Sequence, residues 1–155
     1  MGWTYHFTDN TDRKAEVEKV ANGTVIKSRM LGSVYYGAWQ IGDKVIGVVA
    51  LTRLKDGEFG MKVVDETMGP IESRCPDSIL DCLTDTDSDY VLAWRCRCRK
   101  YNEAMRLLRT LPYGSKVVCE GETYTKKKFG NRRYWVSALG YRNETDIADK
   151  GFKLI

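Results

Sequence analysis

The sequence has little histidine and no long apolar run, and both shortages restrict what the chain can be. His6 is the only histidine among 155 residues, so a Cys–His mechanism would have a single candidate base. No run of about 18 or more apolar residues occurs, which predicts no membrane-spanning helix and no membrane partner. The N-terminus lacks the basic and apolar regions of a secretory signal, so we expect a cytoplasmic protein.

The cysteine pattern fits neither a disulfide framework nor a zinc site. There are five cysteines, an odd number that favours a reducing compartment: Cys75, Cys82, Cys96, Cys98 and Cys119. Their spacing does not match zinc motifs, whose paired ligands lie about two to four residues apart. We expect small buried side chains, with no metal ion and no other cofactor. The alternative is a nucleophile at Cys75, if a helix beginning at Pro76 lowers its pKa.

Charge is distributed unevenly along the chain. Residues 1–90 contain 10 Lys/Arg and 15 Asp/Glu, for a net charge of −5. Residues 91–155 contain 15 Lys/Arg and 6 Asp/Glu, for a net charge of +9. Such asymmetry indicates either that the C-terminal part meets a polyanion or that the two parts face each other.

Hydrophobic periodicity predicts an α+β fold. A short helix from Thr11 to about Ala21 precedes residues 24–64, whose alternation and turn signals predict a four-stranded antiparallel meander with one buried and one wet face. A second short helix follows Pro76. The best helical period covers residues 90–109, where the core-facing stripe contains Val91, Trp94, Cys98, Tyr101, Met105 and Leu108.

The remainder of the chain is predicted to be β-rich. Strands are expected at residues 116–125, 134–142 and 152–155, with a basic hairpin between the first two. The predicted architecture is an antiparallel sheet packed by one long and two short helices, followed by a C-terminal β-hairpin or small barrel-like extension. The predicted division is an α+β core at 1–110 and an extension at 111–155, packed together as a single domain.

Several short strings resemble an uncharacterised protein family. They are Met1-Gly2-Trp3, Asp65-Glu66-Thr67-Met68-Gly69-Pro70, Cys75-Pro76 with Ile79-Leu80, and Trp94-Arg95. In this order they are similar to small proteins encoded by bacteriophages, plasmids and other mobile elements, over roughly residues 1–98. The resemblance implies a phage or bacterial setting, the cytoplasm of a bacterial host, and no particular chemistry. The basic tail has no counterpart in the resemblance.

Three acids define a loop of candidate function: Asp65, Glu66 and Glu72. If they converge at a strand end, they could bind a divalent cation or act as general acid and base. The structural alternative, which we favour, follows from adjacency: Asp65 and Glu66 point to opposite sides of a strand. One of them would then accept hydrogen bonds from loop amides.

A basic and aromatic stretch near the C-terminus is the main candidate binding site. Five cations lie within residues 126–133, namely Lys126, Lys127, Lys128, Arg132 and Arg133, with Phe129, Tyr134 and Trp135 among or beside them. Such a stretch could neutralise phosphates and stack bases. Arg95, Arg99 and Arg106 fall along one edge of the long helix and join the candidate set. The alternative is a solvated turn with Phe129 and Trp135 in the core.

Three functional hypotheses follow. The leading one is a non-enzymatic accessory protein of a phage or mobile element, which binds DNA, RNA or a nucleoprotein complex through its basic C-terminal surface; no catalytic residue is assigned. The second is a protein-binding inhibitor of a host defence factor, whose exposed residues would include Tyr35, Tyr36 and Trp39, depending on which face of the sheet is not core. The third is a metal-dependent enzyme that uses Asp65, Glu66 and Glu72.

Overall fold

The computed structural model describes residues 2–4, 10–53, 59–68 and 72–155, which form two antiparallel sheets and four helices. The strands are β1 (Gly2–Thr4), β2 (Thr24–Leu31), β3 (Val34–Ile41), β4 (Lys44–Arg53), β5 (Phe59–Asp65), β6 (Lys116–Cys119), β7 (Glu122–Phe129), β8 (Arg132–Val136), β9 (Tyr141–Arg142) and β10 (Lys153–Leu154). The helices are α1 (Asn10–Glu18), α2 (Asp77–Leu80), α3 (Asp89–Thr110) and α4 (Glu144–Lys150). The α+β prediction is confirmed. No helix in the described ranges is long and apolar enough to cross a membrane.

The first sheet contains the predicted meander. Its strand order is β1-β5-β4-β3-β2, with every neighbouring pair antiparallel. Tight turns connect β2 to β3 and β3 to β4, and Gly32 and Gly42 adopt positive φ angles there. The helix α1 ends at Glu18, three residues before the predicted end.

One face of the first sheet packs against α2 and α3. Tyr36, Ala38 and Val49 form a buried cluster there with Ile79 of α2 and Trp94 of α3. The stripe predicted for the long helix is confirmed: Val91, Trp94, Cys98, Met105 and Leu108 are buried, and Tyr101 is half-buried. This face is the core that the sequence predicts.

The opposite face of the first sheet is also buried, so the prediction of one wet face is wrong. Val17 of α1 packs there with Tyr35, Trp39 and Val48. Residues 35–39 are buried at every position, as are residues 47–50. A continuous buried run, rather than alternation, is the pattern of strands covered on both faces.

Burial removes the surface on which the predicted protein-binding alternative depended. Tyr35, Tyr36 and Trp39 are 0%, 1% and 4% exposed, so their predicted exposure is wrong. The Trp39 Nε1–H donates to the Tyr35 hydroxyl at 2.9 Å, and that hydroxyl donates to Glu18 Oε2 at 2.7 Å. Gly37 lies between the two rings, where a Cβ atom would be 2.6 Å from the Tyr35 hydroxyl oxygen. The aromatic side chains therefore serve the core.

The second sheet has five strands in the order β10-β6-β7-β8-β9, all antiparallel. The apolar residues of its inner face pack against the end of α3 and against α4. The buried cluster on this face consists of Leu108, Val117, Cys119, Tyr124, Trp135 and Ile147. The C-terminal part of the chain is thus a complete sheet with its own core.

The sequence did not predict the helix α4. Asn143 is its N-cap, and its Oδ1 accepts a hydrogen bond from the Asp146 N–H at 2.9 Å. The acids Glu144 and Asp146 lie in the first turn, where the helix dipole favours negative charge. This capping pattern was present in the sequence, but a strand was expected up to residue 142 and none of the following residues was assigned to a helix.

Contacts divide the chain into two compact units, Met1–Arg99 and Lys100–Ile155. We call them the N-terminal and the C-terminal unit. The division falls within α3, so this helix contributes residues to each. The predicted domain boundary after residue 110, with packing as a single domain, stays a prediction. His6 and the Gly69-Pro70 turn lie outside the described residues.

Cysteine reactivity tests the burial of the N-terminal core. Cys75 and Cys98 are 1% and 0% exposed, whereas Cys96 is exposed. Burial raises the pKa of Cys98 to about 12 and that of Cys75 above its usual range. The helix that follows Cys75 is only four residues long, and the lowered pKa considered for this thiol is wrong.

We therefore expect a disulfide reagent at pH 8 to label Cys96 rapidly in the folded protein and to leave Cys75 and Cys98 unmodified until unfolding. Peptide mapping by mass spectrometry identifies the labelled positions. In the matched variant Cys96→Ser this rapid label should be lost, and the half-buried Cys82 is then the most accessible thiol. Equal labelling rates at Cys75 and Cys96 would contradict the structure.

Candidate nucleic-acid interface

The loop after β5 uses Asp65 as a structural residue. Its Oδ1 accepts hydrogen bonds from the Thr67 N–H at 2.9 Å, the Thr67 hydroxyl at 2.5 Å and the Met68 N–H at 3.1 Å. A carboxylate that satisfies two consecutive amides holds a turn in place. Asp65 thus makes the backbone hydrogen bonds that the structural interpretation expects of one of the two adjacent acids.

Glu66 forms a buried ion pair with Arg95. Glu66 is 3% exposed, and its two oxygens accept hydrogen bonds from Arg95 Nε, at 3.1 Å, and Nη2. The remaining Arg95 nitrogen, Nη1, donates to the Thr84 carbonyl oxygen at 2.6 Å. A guanidinium held on three sides in this way has little capacity left for a phosphate. The structure therefore uses Arg95 within the N-terminal unit, where Glu66 and the Thr84 carbonyl hold its guanidinium.

The three loop acids do not converge on one point. Glu72 is half-buried, and its carbonyl oxygen accepts a hydrogen bond from Trp94 Nε1 at 2.7 Å. Within the described ranges, no group of three or more His, Cys, Asp or Glu side chains could hold a metal ion. Asp65 and Glu66 direct their carboxylates to different partners, so the arrangement on which the enzyme hypothesis depended is not present among them.

The other two helical arginines are both exposed. Arg99 pairs with acids at the two ends of α2, with Asp77 Oδ1 at 3.0 Å and with Asp81 Oδ1 at 2.8 Å. Arg106 is exposed on α3 within the C-terminal unit. Whether any of the three helical arginines contacts nucleic acid stays a prediction.

The basic stretch forms the β7–β8 hairpin. Lys128 lies opposite Arg133, and Phe129 lies opposite Arg132, across the two-residue turn Gly130-Asn131. Gly130 has a φ of +61°, as the first residue of a tight hairpin turn requires. Opposite residues of antiparallel strands share a face, whereas successive residues of one strand point to opposite faces. The consecutive cations of the hairpin therefore point to both sides of the sheet.

Lys126 faces inward and is structural. It is 2% exposed, and its ammonium donates to the carbonyl oxygens of Leu108 (2.7 Å), Arg109 (3.1 Å) and Leu111 (2.6 Å) at the C-terminal end of α3. Burial lowers the pKa of this ammonium. The Trp135 ring centroid lies 5.9 Å from the nitrogen. All three N–H donors are used, so Lys126 is not available to a phosphate.

Glu144 neutralises the inner side of the hairpin. Its Oε2 lies 3.7 Å from Lys126 Nζ, and its Oε1 lies 3.4 Å from Arg133 Nη2. Glu144 is 7% exposed, whereas the Arg133 side chain is 43% exposed. Arg133 therefore shares its charge between a buried acid and the solvent at the edge of the hairpin.

Three further cations of the hairpin are exposed besides Arg133, namely Lys127, Lys128 and Arg132. Among the residues that the structure describes, no carboxylate forms an ion pair with any of the three. Phe129, at the end of β7, is 55% exposed, so its predicted alternative place in the core is wrong, whereas Trp135 is fully buried as that alternative expected. The hairpin thus presents three cations and an aromatic ring to solvent.

Sequence reasoning missed two further cations and one aromatic residue near this surface. Lys116 and Lys153 are exposed on β6 and β10, and Tyr141 on β9 is 69% exposed. They are distant in the sequence from the basic stretch, and only the strand registers bring them to the same sheet. The outward direction of Lys116 could have been predicted from strand alternation. Tyr141 and Lys153 lie in β9 and β10, which are two residues long and too short to show alternation.

Removal of the Lys126 charge should destabilise the C-terminal unit. In Lys126→Met three carbonyl oxygens and the buried Glu144 lose a partner, so we expect the free energy of unfolding to fall by about 3 kcal/mol. The exposed neighbour provides the control: Lys127→Met should change it by less than about 0.5 kcal/mol. Urea unfolding followed by circular dichroism measures both. Equal unfolding midpoints for the two variants would show that Lys126 has no such role.

Comparison with protein-family models, with curated proteins and with solved structures finds no match to this chain. The resemblance to proteins of mobile elements therefore stays a prediction.

Proposed function

We propose that the protein binds nucleic acid through the exposed cations of the β7–β8 hairpin. The observation that supports this most directly is the placement of Lys127, Lys128 and Arg132, all exposed and without an ion-pair partner among the described residues. Lysine and arginine side chains in this state can neutralise phosphates and so release the counterions that are condensed on a nucleic acid, which favours binding.

The charge of the C-terminal unit supports the same proposal. Residues 100–155 contain 12 Lys/Arg and 6 Asp/Glu, a net charge of +6, whereas residues 1–99 contain 13 and 15, a net charge of −2. A positive unit attached to a slightly negative one attracts a polyanion to one part of the chain. The proposal concerns the C-terminal unit by itself.

The setting that we propose follows from the family resemblance. An accessory protein of a phage or other mobile element would meet DNA, RNA or a nucleoprotein complex in the cytoplasm of a bacterial host. Neither chemistry nor a cofactor is part of this proposal. The second hypothesis, inhibition of a host protein, has lost the exposed aromatic face that it required, because Tyr35 and Trp39 are buried.

The salt dependence of binding tests the proposal. In Lys127→Gln/Lys128→Gln/Arg132→Gln, the affinity for a labelled oligonucleotide should fall. The slope of log K against log salt, between about 50 and 200 mM, should become shallower by about 2, since each lost phosphate contact contributes roughly 0.7 to 0.9. Fluorescence anisotropy with single-stranded and duplex probes of DNA and RNA provides the measurement. Arg133 is left in place because it contacts the buried Glu144.

A matched control removes the same charge from the N-terminal unit. Lys27→Gln/Arg29→Gln/Lys44→Gln changes three exposed cations on β2 and β4. We expect this variant to retain the wild-type slope. If the two triple variants lose affinity and slope equally, the hairpin is not the binding surface. If the wild-type protein retains none of the probes at low salt, the proposed function is wrong.

A further inference from the structure

The outer face of the second sheet has an unusual charge pattern. Inner positions are identified by the buried residues Val117, Tyr124 and Trp135, and strand alternation assigns the intervening positions to the outer face. Four cations occupy outer positions, one on each of the strands β6, β7, β8 and β10: Lys116, Lys127, Arg132 and Lys153. All four are exposed. No Asp or Glu occupies an outer position in β6 to β10, since Glu122 lies opposite the inward Cys119.

Three aromatic rings lie in a row across the same face. Phe129 on β7, Tyr134 on β8 and Tyr141 on β9 belong to adjacent strands. The Phe129 and Tyr134 centroids are 5.8 Å apart, and those of Tyr134 and Tyr141 are 5.0 Å apart. Phe129 and Tyr141 are 55% and 69% exposed. Together they form a continuous aromatic surface that is open to solvent.

An open groove adjoins this row. Its volume is about 620 Å³, and its wall includes the three rings and the loop that connects β8 to β9, with Leu139 at 83% exposure. Arg132 lies beside the groove, where a hydrogen bond with the Tyr134 side chain raises the pKa of the Arg132 guanidinium. Exposed apolar surface of this kind marks a site of interaction more often than chance placement.

The combination of cations and aromatic rings on this face favours one class of ligand over others. Bases of a duplex stack on each other and hide their faces, so a duplex could use the four cations but not the rings. Unpaired bases expose their faces and stack on aromatic side chains, while their phosphates contact nearby cations. The core of a protein interface is depleted of lysine, so a face on which three lysines adjoin the rings matches a protein partner less well.

We infer that the outer face of the second sheet binds single-stranded nucleic acid, with unpaired bases stacked on Phe129 and Tyr141 and phosphates contacting Lys127 and Arg132. This inference rests on the proposed function and specifies its substrate class. Tyr134 lies between the two stacking rings and supports both. DNA and RNA share the chemistry, and the experiment distinguishes them.

The test measures how the affinity depends on the strandedness of the probe and on the two stacking rings. Anisotropy is measured with labelled oligo-dT and oligo-U of about 16 nucleotides, which is near the upper site size of a single sheet-based binder, and with a duplex of equal length. We expect the wild-type protein to prefer a single strand. In Phe129→Ala/Tyr141→Ala, single-strand affinity should fall roughly ten- to a hundredfold with the salt slope unchanged, because stacking and not charge is lost. Duplex affinity should not change.

The control removes two exposed apolar side chains elsewhere. Tyr90 and Leu92 are 51% and 46% exposed at the start of α3, and Tyr90→Ala/Leu92→Ala should bind like the wild-type protein. Circular dichroism and the thermal midpoint establish that each variant is folded. A second readout is Phe129→Trp, whose added tryptophan emission should be quenched by a bound single strand.

Failure of this inference differs from failure of the proposed function. If single strands and duplexes bind equally, and Phe129→Ala/Tyr141→Ala binds both as the wild-type protein does, then stacking is absent. The cationic hairpin would remain a nucleic-acid contact, and the inference would be overturned. If the wild-type protein binds none of the probes at low salt, both the inference and the proposed function are wrong.

Discussion

The ammonium of Lys126 sets the geometry of the C-terminal unit. It joins the last turn of α3 to the middle of β7 through the carbonyl oxygens of Leu108 and Leu111, and it holds a negative helix end that would otherwise lack partners. A charge taken out of water needs this many partners to be tolerated, and Glu144 completes them. Once Lys126 points inward, strand alternation requires Lys127 and Phe129 to point outward. The exposed surface of the hairpin is therefore a consequence of a buried charge next to it.

The N-terminal unit uses its aromatic side chains differently. Helices cover its sheet on both sides, so the aromatic side chains of β3 are used for packing. The buried Glu66 carboxylate and the half-buried Arg95 guanidinium satisfy each other within the unit. A carboxylate and a guanidinium that satisfy each other specify the local structure, and they leave no charge for a ligand.

Sequence periodicity predicted the elements well but not the direction of individual charged side chains. The meander and the buried stripe of α3 follow from local patterns of apolar residues, which depend on neighbours in the chain. The inward orientation of Lys126 could not be predicted in this way, because it depends on a helix end 15 to 18 residues away in the sequence. The row formed by Phe129, Tyr134 and Tyr141 depends on the strand registers, and the unpredicted α4 supplies the acid that neutralises the inner side.

The net charge of +4 understates the positive character of the outer face, because the acids of the C-terminal unit are placed selectively. Glu120, Glu144 and Asp146 form ion pairs with Lys126, Arg133 or Arg142, whose strand positions are inward. Because each of these acids is paired with an inward cation, it subtracts little from the potential on the outer side. The same number of carboxylates distributed over both faces would give an identical net charge and a surface with no preference for a polyanion.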